Sequence, residues 1–151
     1  MGEKHKETIA ELLVFIDQMI LKTEGIVVLK EPLLNEEYLI LLRNHIEKLF
    51  VLNKIYRERD LNASKLANRV NTNTAYLSLV FNKYFNSTMP DFVNSLRVAE
   101  AKELLQKEDF DNYTLEGIGY YVGFNSKSSF YRVFRKQVGI SPNMYKDIIR
   151  T

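Results

Sequence analysis

From residue 61 to the end of the chain, apolar residues recur at helical spacing, and short segments of glycine and small polar residues interrupt the pattern. These breaks fall at residues 71–73, 86–88, 109–112, 123–125 and 139–142. The apolar-polar alternation of half-buried strands is nearly absent. The sequence therefore predicts an all-α fold in which short helices follow one another across tight turns.

One pattern occurs twice in this region: a short helix, a small polar or glycine turn, and a second helix with aromatic core positions. In the first copy, residues 62–70 form the supporting helix and Asn73 caps the second helix. The inward positions of that helix are Tyr76, Leu77, Val80 and Phe81. The outward positions are Thr74, Ala75, Ser78, Leu79 and Asn82. We interpret this copy as a helix-turn-helix unit.

In the second copy, residues 114–122 form the supporting helix, and the small Gly119 permits close approach of another helix. Gly123 and Phe124 form the turn, and Ser126 caps the next helix. Its inward positions are Phe130, Val133 and Phe134, and its outward positions are Lys127, Ser128, Tyr131, Arg132 and Arg135. Arginine pairs with a guanine edge or a phosphate, and serine donates to either, so this outward face suits DNA.

Helical spacing alone leaves a second interpretation open, namely two packed helix pairs whose polar faces meet water. The charge distribution is a weak argument for an anionic partner. The chain has a net charge of +2, with a net −2 over residues 1–60 and +4 over residues 61–151.

The absence of cysteine excludes disulfides, thiolate metal sites and cysteine nucleophiles.

The first 57 residues are predicted to be a mainly helical region of unknown role. Residues 7–22 have helical spacing, and residues 26–29 suggest a short strand or an extended connector. Asn35 is predicted to cap a long helix that runs to about Arg57. The apolar positions of that helix are Leu39, Leu42, Ile46, Leu49, Phe50 and Leu52.

Neither an enzyme nor a membrane protein is indicated. The apolar stretch of residues 12–21 is too short to span a bilayer and lacks the flanks of a secretion signal, so a cytoplasmic location is expected. No nucleophile with a base, paired acid or metal cluster stands out, and no cofactor is expected. The two histidines, His5 and His45, are interpreted as solvated or structural.

The string GIGYYVGFNSKSSFYRVFRKQVGISPNMYK, residues 117–146, resembles the C-terminal signature of AraC/XylS-type transcription regulators. The matching features are Gly119, residues 122–124, the run of residues 129–136, Gly139, Pro142 and Tyr145. Upstream, residues 61–70 and 76–85 resemble the family's first helix-turn-helix unit, and residues 92–105 resemble its linker helix. The resemblance covers about residues 58–148, and it places the DNA-binding domain at residues 58–151.

The resemblance implies a double helix-turn-helix domain that inserts two recognition helices into consecutive major grooves of double-stranded DNA. The contact positions it implies in the first helix are Thr74, Ala75, Ser78, Leu79 and Asn82. Those it implies in the second helix are Lys127, Ser128, Ser129 and Arg132, with Arg135 and Lys136 as phosphate partners. RNA polymerase, and self-association or a sensor partner through the N-terminal helices, are further candidate partners.

Two positions depart from the family pattern. Leu79 stands where many relatives have an arginine, and Asn86 where many have a glycine. Without the arginine, the first helix is left to contact DNA through shape or thymine methyl groups, or to bind weakly. The alternative function is therefore a protein-interaction module that retains the fold but has lost DNA reading. Arg97 of the linker helix lies amid a core stripe, so we assign it a structural pairing rather than a DNA contact.

Overall fold

The computed structural model describes residues 36–151, and within them it contains seven α-helices, two 3-10 turns and no strand. The α-helices are α1 (Glu36–Val51), α2 (Ala63–Arg69), α3 (Thr74–Tyr84), α4 (Met89–Gln106), α5 (Leu115–Tyr121), α6 (Lys127–Val138) and α7 (Pro142–Ile149). The all-α prediction is thus confirmed. The predicted helix at residues 7–22, the extended segment at residues 26–29 and the cap at Asn35 lie outside the described residues.

The first of two hydrophobic cores joins α1, α2, α3 and the start of α4. Its fully buried members include Ile46, Phe50, Leu66, Leu77 and Phe81. Phe50 and Phe92 meet edge to face, with ring centroids 5.3 Å apart. Helix α1 therefore packs in the core of the first helix-turn-helix unit, and the domain division after residue 57 stays a prediction.

The second core joins α5, α6 and α7 to the C-terminal half of α4. Phe130 and Phe134 of α6 are fully buried, and their ring centroids lie 5.6 Å apart. Tyr145 of α7 packs against Phe134 at 5.6 Å. The inward positions predicted for the second recognition helix are confirmed.

Helix α4 contributes to both cores, as the predicted linker helix should. Thr88 caps it, and its side-chain oxygen accepts a hydrogen bond from the backbone nitrogen of Asp91 at 3.3 Å. Val93 lies in the first core, whereas Ala101 and Leu105 lie in the second. One continuous helix thus connects the two units.

The predicted long helix ends early. Helix α1 stops at Val51 rather than near Arg57, and Leu52 is 75% exposed instead of lying on the apolar stripe. Lys54 has a left-handed backbone (φ 49°) and precedes a 3-10 turn, Ile55–Arg57. A helix continued at 3.6 residues per turn would turn Ile55 away from the stripe that contains Ile46 and Phe50. Leaving the helix lets both Ile55 and Tyr56 become buried.

The close packing expected at Gly119 is also confirmed, and it supplies a stability prediction. A Cβ atom at Gly119 would lie 2.8 Å from the Phe130 ring, so this fully buried ring or the helix would have to shift within the second core. We expect Gly119→Ala to lower the free energy of unfolding by about 1–2 kcal/mol, because the overpacking outweighs the gain in helix propensity. Urea denaturation followed by circular dichroism measures this change.

Gly117→Ala is the matched control in the same helix. Its Cβ would lie 3.1 Å from the exposed Thr114 Oγ1, which caps α5 by accepting a hydrogen bond from the Gly117 backbone nitrogen at 2.9 Å. The free energy of unfolding should stay within about 1 kcal/mol of wild type, because the gain in helix propensity offsets a slightly weakened cap. Equal losses in the two variants would contradict the close contact between α5 and α6.

Candidate nucleic-acid interface

Helix α3 presents an uncharged outward face. Asn73 caps the helix by accepting a hydrogen bond from the Tyr76 backbone nitrogen at 2.9 Å, and Leu77, Val80 and Phe81 anchor the opposite face in the first core. The predicted outward residues are all exposed: Thr74, Ala75, Ser78, Leu79 and Asn82. Leu79 is 39% exposed, which makes it an apolar element of this surface.

Helix α6 presents a cationic outward face. Ser126 caps it by accepting a hydrogen bond from the Ser129 backbone nitrogen at 3.1 Å, and Phe130, Val133 and Phe134 hold it to the second core. The exposed residues on its outer side are Lys127, Ser128, Arg132, Arg135 and Lys136. Both predicted caps, Asn73 and Ser126, are therefore confirmed.

Two further residues of α6 are less accessible than the sequence suggested. Ser129 is half-buried, and its hydroxyl lies 3.1 Å from the Ser126 hydroxyl in the cap of the same helix. Tyr131 is also half-buried, and its hydroxyl donates to Asn143 of α7 at 3.3 Å. A contact of Ser129 with DNA stays a prediction. The Ser129 hydroxyl would have to make this contact in addition to its hydrogen bond with the Ser126 hydroxyl.

The two helix faces differ in charge. Among residues 36–151, no carboxylate forms an ion pair with Lys127, Arg132, Arg135 or Lys136. The one basic residue of α3, Lys83, pairs with Glu36 of α1, and this hydrogen bond holds the pKa of Glu36 below its ordinary value. Unneutralised cations favour an anionic partner, so α6 is the stronger electrostatic attractor of the two.

Between the two units lies a segment that the sequence pattern predicted in part as the end of the first long helix. We call residues 54–59 the connecting segment. Its Arg57 donates through Nε to Glu100 Oε2 of α4 at 2.9 Å and through Nη2 to Glu100 Oε1, and Lys54 Nζ approaches Glu100 Oε1 at 3.1 Å. Glu100 is only 6% exposed, so these hydrogen bonds compensate a nearly buried charge.

Arg97 has the structural role that the sequence predicted. The side chain is 8% exposed, and it donates through Nε to the Tyr56 carbonyl at 2.6 Å and through Nη2 to the Glu58 carbonyl at 2.9 Å. Its guanidinium also lies over the Phe124 ring, 5.6 Å from the centroid. The partners are backbone carbonyls of the connecting segment, which no local pattern could have indicated.

The connecting segment also contacts the turn of the second unit. Asn125 Nδ2 donates to the Arg59 carbonyl at 3.1 Å, and the Arg59 guanidinium lies 4.7 Å from the centroid of Tyr120. Gly123 lies so close to this segment that a Cβ atom there would be 2.5 Å from the Tyr56 carbonyl oxygen. The sequence signals for this junction were two charged residues, Arg97 and Glu100, among the apolar buried residues of α4, and only Arg97 was assigned a structural pairing from the sequence.

The Glu100 site predicts a specific pH dependence of stability. Burial by itself raises the pKa of the Glu100 carboxyl, but hydrogen bonds from Arg57 and Lys54 outweigh burial and lower the pKa. Its contribution to stability is then fully present above the unfolded-state pKa of about 4.3 and is lost as the pH falls through the lower folded-state pKa. We expect the stability difference between wild type and Glu100→Gln to be largest near neutral pH and to shrink in acid.

Chemical denaturation at neutral pH and at about pH 3 measures this difference. Glu103→Gln, at an exposed position of the same helix, is the control and should show a small difference at both pH values. A difference for Glu100→Gln that grows as the pH falls would contradict the prediction.

Comparison with known sequences identifies the family. The profile of a helix-turn-helix domain family matches residues 66–148, from α2 to α7, which is more than half of the chain. The match contains the whole string that carries the AraC/XylS resemblance. The chain belongs to the AraC/XylS family. That family is defined by a DNA-binding domain of transcription regulators and is not an enzyme class.

The AraC/XylS domain also accounts for the similarity to characterised proteins. The melibiose operon regulatory protein of Escherichia coli strain K12 is 31% identical over 91 residues, which cover 60% of this chain. Because the match spans only 29% of that relative, it concerns the domain and not the whole regulator.

Solved structures confirm the fold. An AraC-type DNA-binding domain protein from Chromobacterium violaceum superposes with a TM-score of 0.57 at 21% identity, covering 70% of this chain and 95% of that one. The DNA-binding domain of AdpA, solved with a target DNA, superposes with a TM-score of 0.63 at 22% identity, covering 72% and 92%. The AraC/XylS two-unit architecture is thus present here.

No helix between Glu36 and Thr151 is long and apolar enough to cross a membrane.

Proposed function

We propose that this chain binds double-stranded DNA in a sequence-specific manner and regulates transcription, with α3 and α6 inserted into consecutive major grooves. The observation that supports this most directly is the outer face of α6, where four cationic side chains are exposed without a carboxylate partner among the described residues. Helix α4 joins the two recognition helices, so both units are available to one DNA molecule.

The two recognition helices have different roles in this proposal. In α6, Arg132 reads a base edge together with Lys127 and Ser128, while Arg135 and Lys136 hold phosphates. In α3, Thr74, Ser78 and Asn82 supply polar contacts. Leu79 and Ala75 supply apolar ones suited to thymine methyl groups. Affinity would come mainly from α6, and α3 would add discrimination at a second block of sequence.

Selection from a random duplex library, with sequencing of the bound fraction at several salt concentrations, tests this proposal. Two enriched blocks about 10 base pairs apart would support insertion of both helices. One block would assign sequence recognition to α6 alone and overturn the two-groove part. No enrichment and little salt dependence would overturn DNA binding and favour the protein-interaction module.

The salt dependence itself can be predicted residue by residue. Each neutralised phosphate contributes about −0.9 to the slope of log Kobs against log salt concentration, so Arg135→Gln with Lys136→Gln should make that slope shallower by about 2. Fluorescence anisotropy on one enriched duplex measures the slope. Lys102→Gln with Lys107→Gln removes the same charge from the linker helix and its end, and it should leave the slope nearly unchanged. Equal changes in the two double variants would contradict the assignment.

A further inference from the structure

The two helix-turn-helix units are connected twice, once by the linker helix and once by the connecting segment. On the side of the first unit, Glu58 of the segment pairs with Arg69 of α2 through two hydrogen bonds of 2.8 and 3.0 Å. On the side of the second unit, Asn125 and Gly123 contact the segment directly. The segment therefore lies between the supporting helix of one unit and the turn of the other.

Glu100 and Arg97 attach this segment to the linker helix. They lie on α4, one turn apart, and together they make five hydrogen bonds to residues 54–58: three from Lys54 and Arg57 to the Glu100 carboxylate, and two from Arg97 to backbone carbonyls. A forked arginine-carboxylate pair restricts orientation as well as distance. Such contacts oppose rotation of one unit against the other about the linker helix.

We propose that the connecting segment, held by Arg97 and Glu100, sets the relative position of α3 and α6 and thereby limits the spacing between the two DNA blocks that the protein accepts. Arg97 and Glu100 are positioning residues here, since neither contacts DNA in this proposal. The part that concerns DNA rests on the proposed function, whereas the part that concerns the geometry between the helices does not. A linker helix alone would leave the units able to pivot, and a wider range of spacings would be tolerated.

The geometric part is tested without DNA. The chain has no cysteine, so Ser78→Cys and Ser128→Cys place one spin label on each recognition helix at an exposed site. Pulsed electron paramagnetic resonance then gives the distribution of distances between the labels. We expect one narrow distribution for the parent chain and for Glu103→Gln, and a broader one for Glu100→Gln, with equal helical content by circular dichroism in all three.

The functional part uses duplexes in which the two blocks selected by the protein are separated by the preferred spacing or by one base pair more or less. For the parent chain and for Glu103→Gln, the preferred spacing should bind best. For Glu100→Gln, the preference should fall by about tenfold, which corresponds to the loss of one charge-assisted hydrogen-bond network. Glu103→Gln alters the net charge by the same amount on the same helix, so a general electrostatic effect would appear in both variants.

The outcomes separate this inference from the proposed function. An unchanged distance distribution in Glu100→Gln overturns the inference whatever happens with DNA. A broadened distribution with uniform loss of affinity at every spacing overturns the spacing role. Failure of the parent chain to select any duplex overturns the proposed function and the spacing role with it, while the distance measurement still decides the geometric part. If Glu100→Gln does not fold, Arg57→Gln removes the same ion pair by changing the arginine, whose side chain is 33% exposed and therefore easier to replace.

Discussion

Gly123→Ala should lower the free energy of unfolding by about 3–5 kcal/mol, because it combines a strained backbone with the loss of a buried hydrogen bond. Gly123 has a φ of 112°, a conformation that residues with a side chain rarely adopt. The new methyl carbon would lie 2.5 Å from the Tyr56 carbonyl oxygen and 2.7 Å from Arg97 Nε. It would therefore push apart a donor and an acceptor that lie 2.6 Å from each other.

Gly139→Ala separates the effect of backbone strain from the effect of losing the buried hydrogen bond. Gly139 also has a left-handed backbone, with a φ of 89°, but no atom lies within 4 Å of the position its Cβ would take. This variant should lose only about 1–2 kcal/mol, the usual cost of a left-handed residue with a side chain. Guanidinium denaturation of both variants gives the two values. Similar losses would show that the contact of the second unit with the connecting segment adds little to stability.

Arg132→Ala should weaken binding to the selected duplex by about tenfold to a hundredfold, and it should relax the preference at one base pair. Arg132 is exposed on α6, and no carboxylate within residues 36–151 neutralises it. In the proposed function Arg132 contacts a base edge, and a bidentate pair of arginine with guanine is strongly discriminating. Its removal should therefore act on sequence preference and not only on overall affinity.

The matched control for Arg132→Ala is Lys107→Ala, which removes one positive charge just after the linker helix. It should change affinity little and leave sequence preference intact. Titration of the selected duplex and of single-base variants, at one salt concentration, distinguishes the two substitutions. Unchanged binding by Arg132→Ala would remove this residue from the interface, and a loss that is equal for all duplexes would make it a phosphate contact.

Local sequence patterns were sufficient to predict the helix starts. Asn73 and Ser126 each precede a helix and accept a hydrogen bond from a backbone nitrogen three residues later, an interaction that depends only on neighbours in sequence. The outward and inward faces of α3 and α6 were predicted for the same reason, because a helix places residues three and four apart on one side. Asn86, at the position where many relatives have a glycine, has a left-handed backbone (φ 47°), which asparagine and glycine adopt more readily than other residues.

The end of α1 was predicted wrongly because tertiary packing decides it. The apolar positions of the predicted helix run from Leu39 to Leu52, and they suggested one long helix to about Arg57. The helix instead stops at Val51, and the chain turns so that Ile55 and Tyr56 become buried while Leu52 remains exposed. Which apolar residues become buried depends on the position of α4, and residues 55–57 give no local indication of it.

Local sequence was enough to predict the all-α class, the two helix-turn-helix units, the caps at Asn73 and Ser126, the buried and outward faces of the recognition helices, and the family. All of these depend on residues within a few positions of each other or on one continuous string. How the two units are held together follows from tertiary packing and not from any local pattern. The pairs that hold them together, Arg57 with Glu100 and Arg97 with the Tyr56 carbonyl, join residues 43 and 41 positions apart. Such pairs depend on the hydrophobic core that packs Ile55 and Tyr56 with Val93 of α4, because residues so far apart in sequence have no local tendency to meet.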